Sequence, residues 1–142
     1  MDNHTSDTST VSRPTRSSRI ATLFSTALMW SVVLQAVAAG RVLEGDDWAR
    51  NLHRGFGGIL LLTAVTGGVV SLVRLGNRAV GRRFGLMLIV IGIATYVEFH
   101  LGSAAADGED TLWLHVPLGV ALVALLAHAT HLARRIDRER AD

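Results

Sequence analysis

Two stretches, "NLHRGFGG" at residues 51–58 and "LWLHVPLG" at 112–119, each place a glycine four positions after a histidine: His53 with Gly57 and His115 with Gly119. A third histidine, His100, lies in "YVEFHLG" at 96–102. Neutral imidazole is the commonest side-chain ligand for a transition metal. On a helix, residues four apart share one face and sit one turn apart. A histidine followed one turn later by glycine therefore sets a nitrogen donor beside a position with no side chain. Such a site suits an axial ligand with backbone-close room for a flat macrocycle.

Four runs almost free of charge must position these residues: 20–40, 55–73, 84–97 (extended by "EFHLG") and 111–133. A bilayer span needs roughly 17–25 apolar residues. The first, second and fourth runs meet that length alone, and the third does so with Glu98 and His100 near the membrane surface or facing protein. The fold predicted is all-α, an integral membrane up-down-up-down four-helix bundle. Its spans fall at about 20–40, 54–74, 83–102 and 112–133, because short loops force neighbouring spans to run antiparallel. Residues 1–19, rich in Ser and Thr, read as a disordered tail, and 135–142 as a second tail. "AVAAG" at 36–40 resembles a cleavage site, but about twenty apolar residues before it exceed the 7–15 of a signal-peptide core. Span two carries a small-residue face, Gly57, Ala64, Gly67 or Gly68, and Ser71, suited to close helix packing. Trp48 and Trp113 belong at the outer boundary, where interfacial aromatics collect.

The chain has no cysteine, which excludes disulfides, iron–sulfur clusters and thiolate metal sites. Its fourteen basic residues are all arginine, and they are distributed as a topology signal rather than as a nucleic-acid surface. Eleven lie in the N-terminal tail, the loop after span two and the C-terminal segment. The other two loops hold the acids Glu44, Asp46, Asp47, Asp107, Glu109 and Asp110. The positive-inside rule then predicts a multi-pass plasma-membrane protein with both termini cytoplasmic.

In that orientation His53, His100 and His115 all reach the outer end, while His128 and His131 lie at the inner end and His4 in the tail. Ionisable side chains within spans are costly and usually mark a function. Spans two and four run in the same direction and are expected to be diagonal, with axes roughly 11–14 Å apart if neighbours are 8–10 Å apart. Two imidazoles across that gap can clamp one iron. The expected site is therefore a haem b with His53 and His115 as axial ligands, Gly57 and Gly119 as ring slots, and Arg54 or Arg50 neutralising a propionate. His100 has the bulky Tyr96 one turn deeper. It is expected to hydrogen-bond a propionate, replace one of the pair, or complete a three-histidine copper or zinc site. Glu98, about 200° around the helix from His100, reads as an interfacial carboxylate reaching water. His128 is rotated some 140° from His115 and has no inner-end partner, so it and His131 read as a polar edge beside Arg134 and Arg135.

With "HR" at 53–54, Gly57 and "LHVP" at 114–117, the four spans resemble small actinobacterial four-span membrane proteins of unassigned function. More distantly they are similar to one half-module of haem A synthase and to compact four-helix b-type cytochromes. The resemblance implies haem-binding histidines near the outer ends of spans two and four. The chain departs from haem A synthase in having one bundle. Ala49 and Arg50 also stand where that enzyme's catalytic helix carries an acid, so the resemblance extends to haem binding and not to haem modification. The function expected is one-electron transfer or haem handling at the outer face. The alternatives are a cofactor-free structural or accessory subunit, or the copper or zinc site. The partners expected are the lipid bilayer, a redox protein, and a homo-oligomer or larger membrane complex, with no nucleic acid. No hydrolase or transferase signature occurs, and "GFGG" lacks the preceding strand of a phosphate loop. No span carries a charged row of the kind a transporter or channel would need. Pro117 is expected in a first helical turn, where a missing N–H costs little.

Overall fold

The computed structural model describes residues 15–136, so most of the N-terminal tail and the last six residues lie outside the described part. It contains four helices: α1 (Arg16–Leu43), α2 (Asp47–Leu75), α3 (Ala79–Ala106) and α4 (Leu112–Arg135). All four are long and apolar enough to cross a membrane. Each extends beyond its apolar run, because polar residues at the ends continue the helix. Thr15 caps α1 by accepting from the Ser18 amide at 3.4 Å, which starts the helix at Arg16 rather than at residue 20. Asp47 and Trp48 open α2 rather than lying in a loop. Pro117 falls in the second turn of α4 rather than the first.

The two acidic loops are built alike. Gly45 and Gly108 both adopt φ of 95°, the left-handed conformation that glycine reaches without strain. Arg41 pairs with Glu44 and Asp46 across the first loop. The Thr111 hydroxyl donates to the Leu101 carbonyl at 2.8 Å and ties the second loop to α3. These loops define the acidic end of the bundle; the α2–α3 turn, residues 76–78, lies at the arginine end.

Each helix packs against its chain neighbours and α1 closes the ring against α4, which leaves α2 and α4 diagonal. Phe84, Leu88, Ile91 and Leu126 are the large side chains fully enclosed at the centre. The α2–α3 seam is close because it is glycine-lined. A Cβ on Gly85 would stand 2.8 Å from the Leu72 side chain, and one on Gly68 would stand 3.1 Å from the Gly85 carbonyl. Ala64, Gly68 and Ser71 are buried on α2 as its small-residue face predicts, whereas Gly67 turns to Phe24 of α1. Trp30, Leu34, Val73, Ile93 and Val120 point outward, as lipid-facing residues do. The buried hydroxyls of Ser25, Thr95 and Thr130 bond to carbonyls one turn back in their own helices, at 2.9, 2.8 and 2.9 Å. They need no partner from elsewhere.

Candidate functional site: a polar cluster at the acidic end

Near the acidic end, each helix contributes one polar residue to a single cluster: Gln35 from α1, His53 from α2, Glu98 from α3 and His115 from α4. The imidazoles of His53 and His115 meet across the diagonal, with ring centres 6.2 Å apart and planes 84° apart. The structure thus places the two repeated-motif histidines side by side.

The partners of the rings come from the neighbouring helices. Nδ1 of His53 lies 3.1 Å from the Gln35 backbone carbonyl. A carbonyl only accepts, so Nδ1 carries the proton and Nε2 is left with its lone pair. In return, the Gln35 side-chain amide donates to the His53 carbonyl at 2.8 Å. Nδ1 of His115 lies against Oε2 of Glu98. Both rings are thus held through Nδ1 by an acceptor on a second helix, an arrangement common behind metal-bound histidines.

Glu98 corrects the sequence expectation. It is 7 % exposed, and among the described residues it is the one ionisable side chain in the buried class. The estimate of some 200° between Glu98 and His100 agrees with their opposite placement, but the faces are reversed: Glu98 turns inward and His100 outward. His100 is exposed, packed edge-on against Tyr96 at 4.4 Å and near Phe99 at 6.1 Å. It does not join His53 and His115. Among the described residues no cluster of three or more ligand-type side chains is placed to hold a metal ion, so the three-histidine copper or zinc site does not assemble.

The glycines also play a different part from the one expected. A Cβ on Gly57 would lie 3.3 Å from Nε2 of Gln35, and one on Gly119 would lie 3.1 Å from Oε1 of Glu98. Each slot receives the polar side chain of the neighbouring helix rather than standing open. A further glycine, Gly102, seats the His115 ring: an added Cβ would approach Cε1 to 3.0 Å and Nε2 to 3.4 Å. Gln35 and Gly102 were missed by sequence reasoning. Gln35 had a signal, since it is the one amide in the first apolar run. Gly102 had a weaker one, lying one turn after Glu98.

Arg54 is exposed and its guanidinium lies 5.9 Å from the centre of the Phe99 ring, while Arg50 pairs with Asp47 at 3.5 Å. At the arginine end, exposed His128 and His131 stack with centres 6.4 Å apart. Compared with family models, curated proteins and solved structures, the chain has no match in any of the three.

Proposed function

We propose that this chain is a membrane haem b protein with His53 and His115 as the axial pair, serving one-electron transfer or haem handling at the outer face of the plasma membrane. One observation carries the reading. Two imidazoles on diagonal helices stand 6.2 Å apart, each engaged through Nδ1 by a group on an adjacent helix. With metal–nitrogen bonds of roughly 2.0 Å, an imidazole–metal–imidazole unit spans about 6 Å between ring centres. The separation of the two rings is what supports the reading.

When bound, haem supplies exchange of one electron between ferric and ferrous iron. The protein's own residues hold and shield the site. Gln35 keeps the His53 ring from rotating, Glu98 does the same for His115, and the apolar spans exclude water. The arginine end is read as cytoplasmic, from the arginine bias of the tails and the α2–α3 turn. Exposed Glu44, Asp47, Asp107, Glu109 and Asp110 then give the outer face a negative field that favours a basic carrier, weakened by salt.

The test is an oxidised and a dithionite-reduced visible spectrum of protein purified in mild detergent from haem-replete cells. A Soret band with sharp reduced α and β bands is expected, lost in His53→Ala and His115→Ala and kept in His128→Ala. A colourless wild-type protein refutes the reading. The filled glycine slots favour a second reading, a cofactor-free accessory subunit in which the cluster joins four helices, and a colourless but stably folded protein supports it.

A further inference from the structure

We propose that the groove between α1 and α2 at the arginine end is a binding site for an anionic phospholipid, with one acyl chain lying along α2 and the phosphate on Arg74. This occupant does not depend on the haem reading, only on the chain spanning a membrane. The groove follows from the residues that line it. α1 contributes Ser17 and Ala21 and α2 contributes Gly67 and Ser71, all of them small, and a cavity of about 610 Å³ is left between the helices. The α1–α2 seam is also the loosest of the four between neighbouring helices. Phe24 forms part of the wall, with its ring laid so close to α2 that a Cβ on Gly67 would meet it at 2.4 Å.

Length and charge together name the occupant. Leu62, Thr66, Val70 and Arg74 stand four residues apart along α2 and form an exposed rim of the groove. At 1.5 Å per residue that row is about 18 Å long, close to the roughly 15 Å that is half of a hydrocarbon core. The groove therefore has the depth of one leaflet, mainly apolar along its length and ending in a guanidinium. An acyl chain and its phosphate have the same order. Among the described residues every acid lies toward the opposite end of the bundle, so none is placed to neutralise Arg74. A lipid phosphate can, and the planar donor fork of arginine suits it. Exposed Arg16 and Arg19, in the first turn of α1, add to the positive field at the same end. A lipid with a zwitterionic headgroup offers the same chain without the net charge, so charge separates the two.

Native mass spectrometry of the full chain in detergent, titrated with phosphatidylglycerol or phosphatidylcholine of identical acyl chains, tests the proposal. One phosphatidylglycerol is expected to bind more tightly than phosphatidylcholine. The attraction of one arginine to an anionic lipid surface corresponds to a factor of about five. Arg74→Gln should therefore weaken phosphatidylglycerol about fivefold and leave phosphatidylcholine unchanged. Arg135→Gln, which alters an exposed arginine of the same end outside the groove, should change neither. Thr66→Trp, whose indole fills the groove from an exposed position, should weaken both lipids while circular dichroism shows the fold kept. Equal wild-type affinities for the two lipids overturn the proposal, as does equal weakening by Arg74→Gln and Arg135→Gln. A dimer mass that disappears in Thr66→Trp would give the groove to a second copy. Lipid binding that appears only after residues 1–14 are deleted would give it to the chain's own N-terminus, and either result also overturns the proposal.

Discussion

Gly102→Ala isolates the seat of His115. The added Cβ would meet Cε1 of the ring at 3.0 Å, where ordinary contact begins near 3.4 Å. The ring must therefore retreat by about 0.4 Å. It cannot do so freely, because Nδ1 is held by Glu98 and His53 lies 6.2 Å away across the diagonal. Overpacking of this kind costs about 1–3 kcal/mol. Replacing a helical glycine by alanine also gains roughly 0.8–1.0 kcal/mol in propensity, which would mask part of the loss. Gly58→Ala supplies the correction, since nothing lies within 4 Å of a Cβ there. Both substitutions share the propensity gain, so their difference leaves the steric cost. Equilibrium unfolding in mixed micelles with rising SDS, followed by circular dichroism, should find Gly102→Ala less stable than Gly58→Ala by about 1–3 kcal/mol. On the proposed haem reading, the reduced α band should also be weaker in Gly102→Ala. Equal stabilities would show that the ring is not seated against α3, and the site geometry argued from it would fall.

Gln35→Leu removes the 2.8 Å bond to the His53 carbonyl but not the backbone acceptor of His53 Nδ1. The same unfolding assay should show a loss of about 0.5–1.5 kcal/mol with the reduced spectrum kept. His100→Ala should leave the visible spectrum unchanged, because its ring is exposed and packs on Tyr96; loss of the α band would make it a ligand. The chain has no cysteine, so single cysteines report topology directly. In intact cells, a membrane-impermeant thiol reagent should label Asp107→Cys and spare Asn77→Cys, and the reverse pattern would invert the bundle.

The fold was legible because charge and apolar length vary on the scale of a whole span. Four runs, two acidic loops and short connections were enough to place α2 and α4 on the diagonal. Helix ends were less legible, since caps such as Thr15 and Asp46 lie outside the apolar runs that marked the spans. The site was half legible. His53 and His115 announced themselves through a repeated spacing, but Glu98 and His100 were assigned the wrong faces. A helical wheel gives the angle between two residues and not which of them faces inward. The 3–4 pattern of Leu88, Ile91, Thr95, Glu98 and Gly102 contained that answer. Weighing the whole helix face, rather than the pair, would have turned Glu98 to the core.

The repeated His-x-x-x-Gly has a physical cause once the partners are seen. Among polar side chains sunk at the acidic end, an unpaired one costs free energy that lipid cannot repay. Each histidine reaches sideways to a neighbouring helix, and the glycine one turn deeper receives the polar chain of that same neighbour. His53 and Gly57 of α2 engage Gln35 of α1; His115 and Gly119 of α4 engage Glu98 of α3. The polar cluster is thereby two locked pairs, α1 with α2 and α3 with α4, whose rings meet across the diagonal. The α1–α2 pair closes its bonds with a neutral amide and a carbonyl, whereas the α3–α4 pair sets a carboxyl group against its ring. The two pairs are therefore not interchangeable: Gln35→Glu combined with Glu98→Gln would set a carboxylate against the His53 carbonyl, which also only accepts, while the His53 ring kept its backbone acceptor.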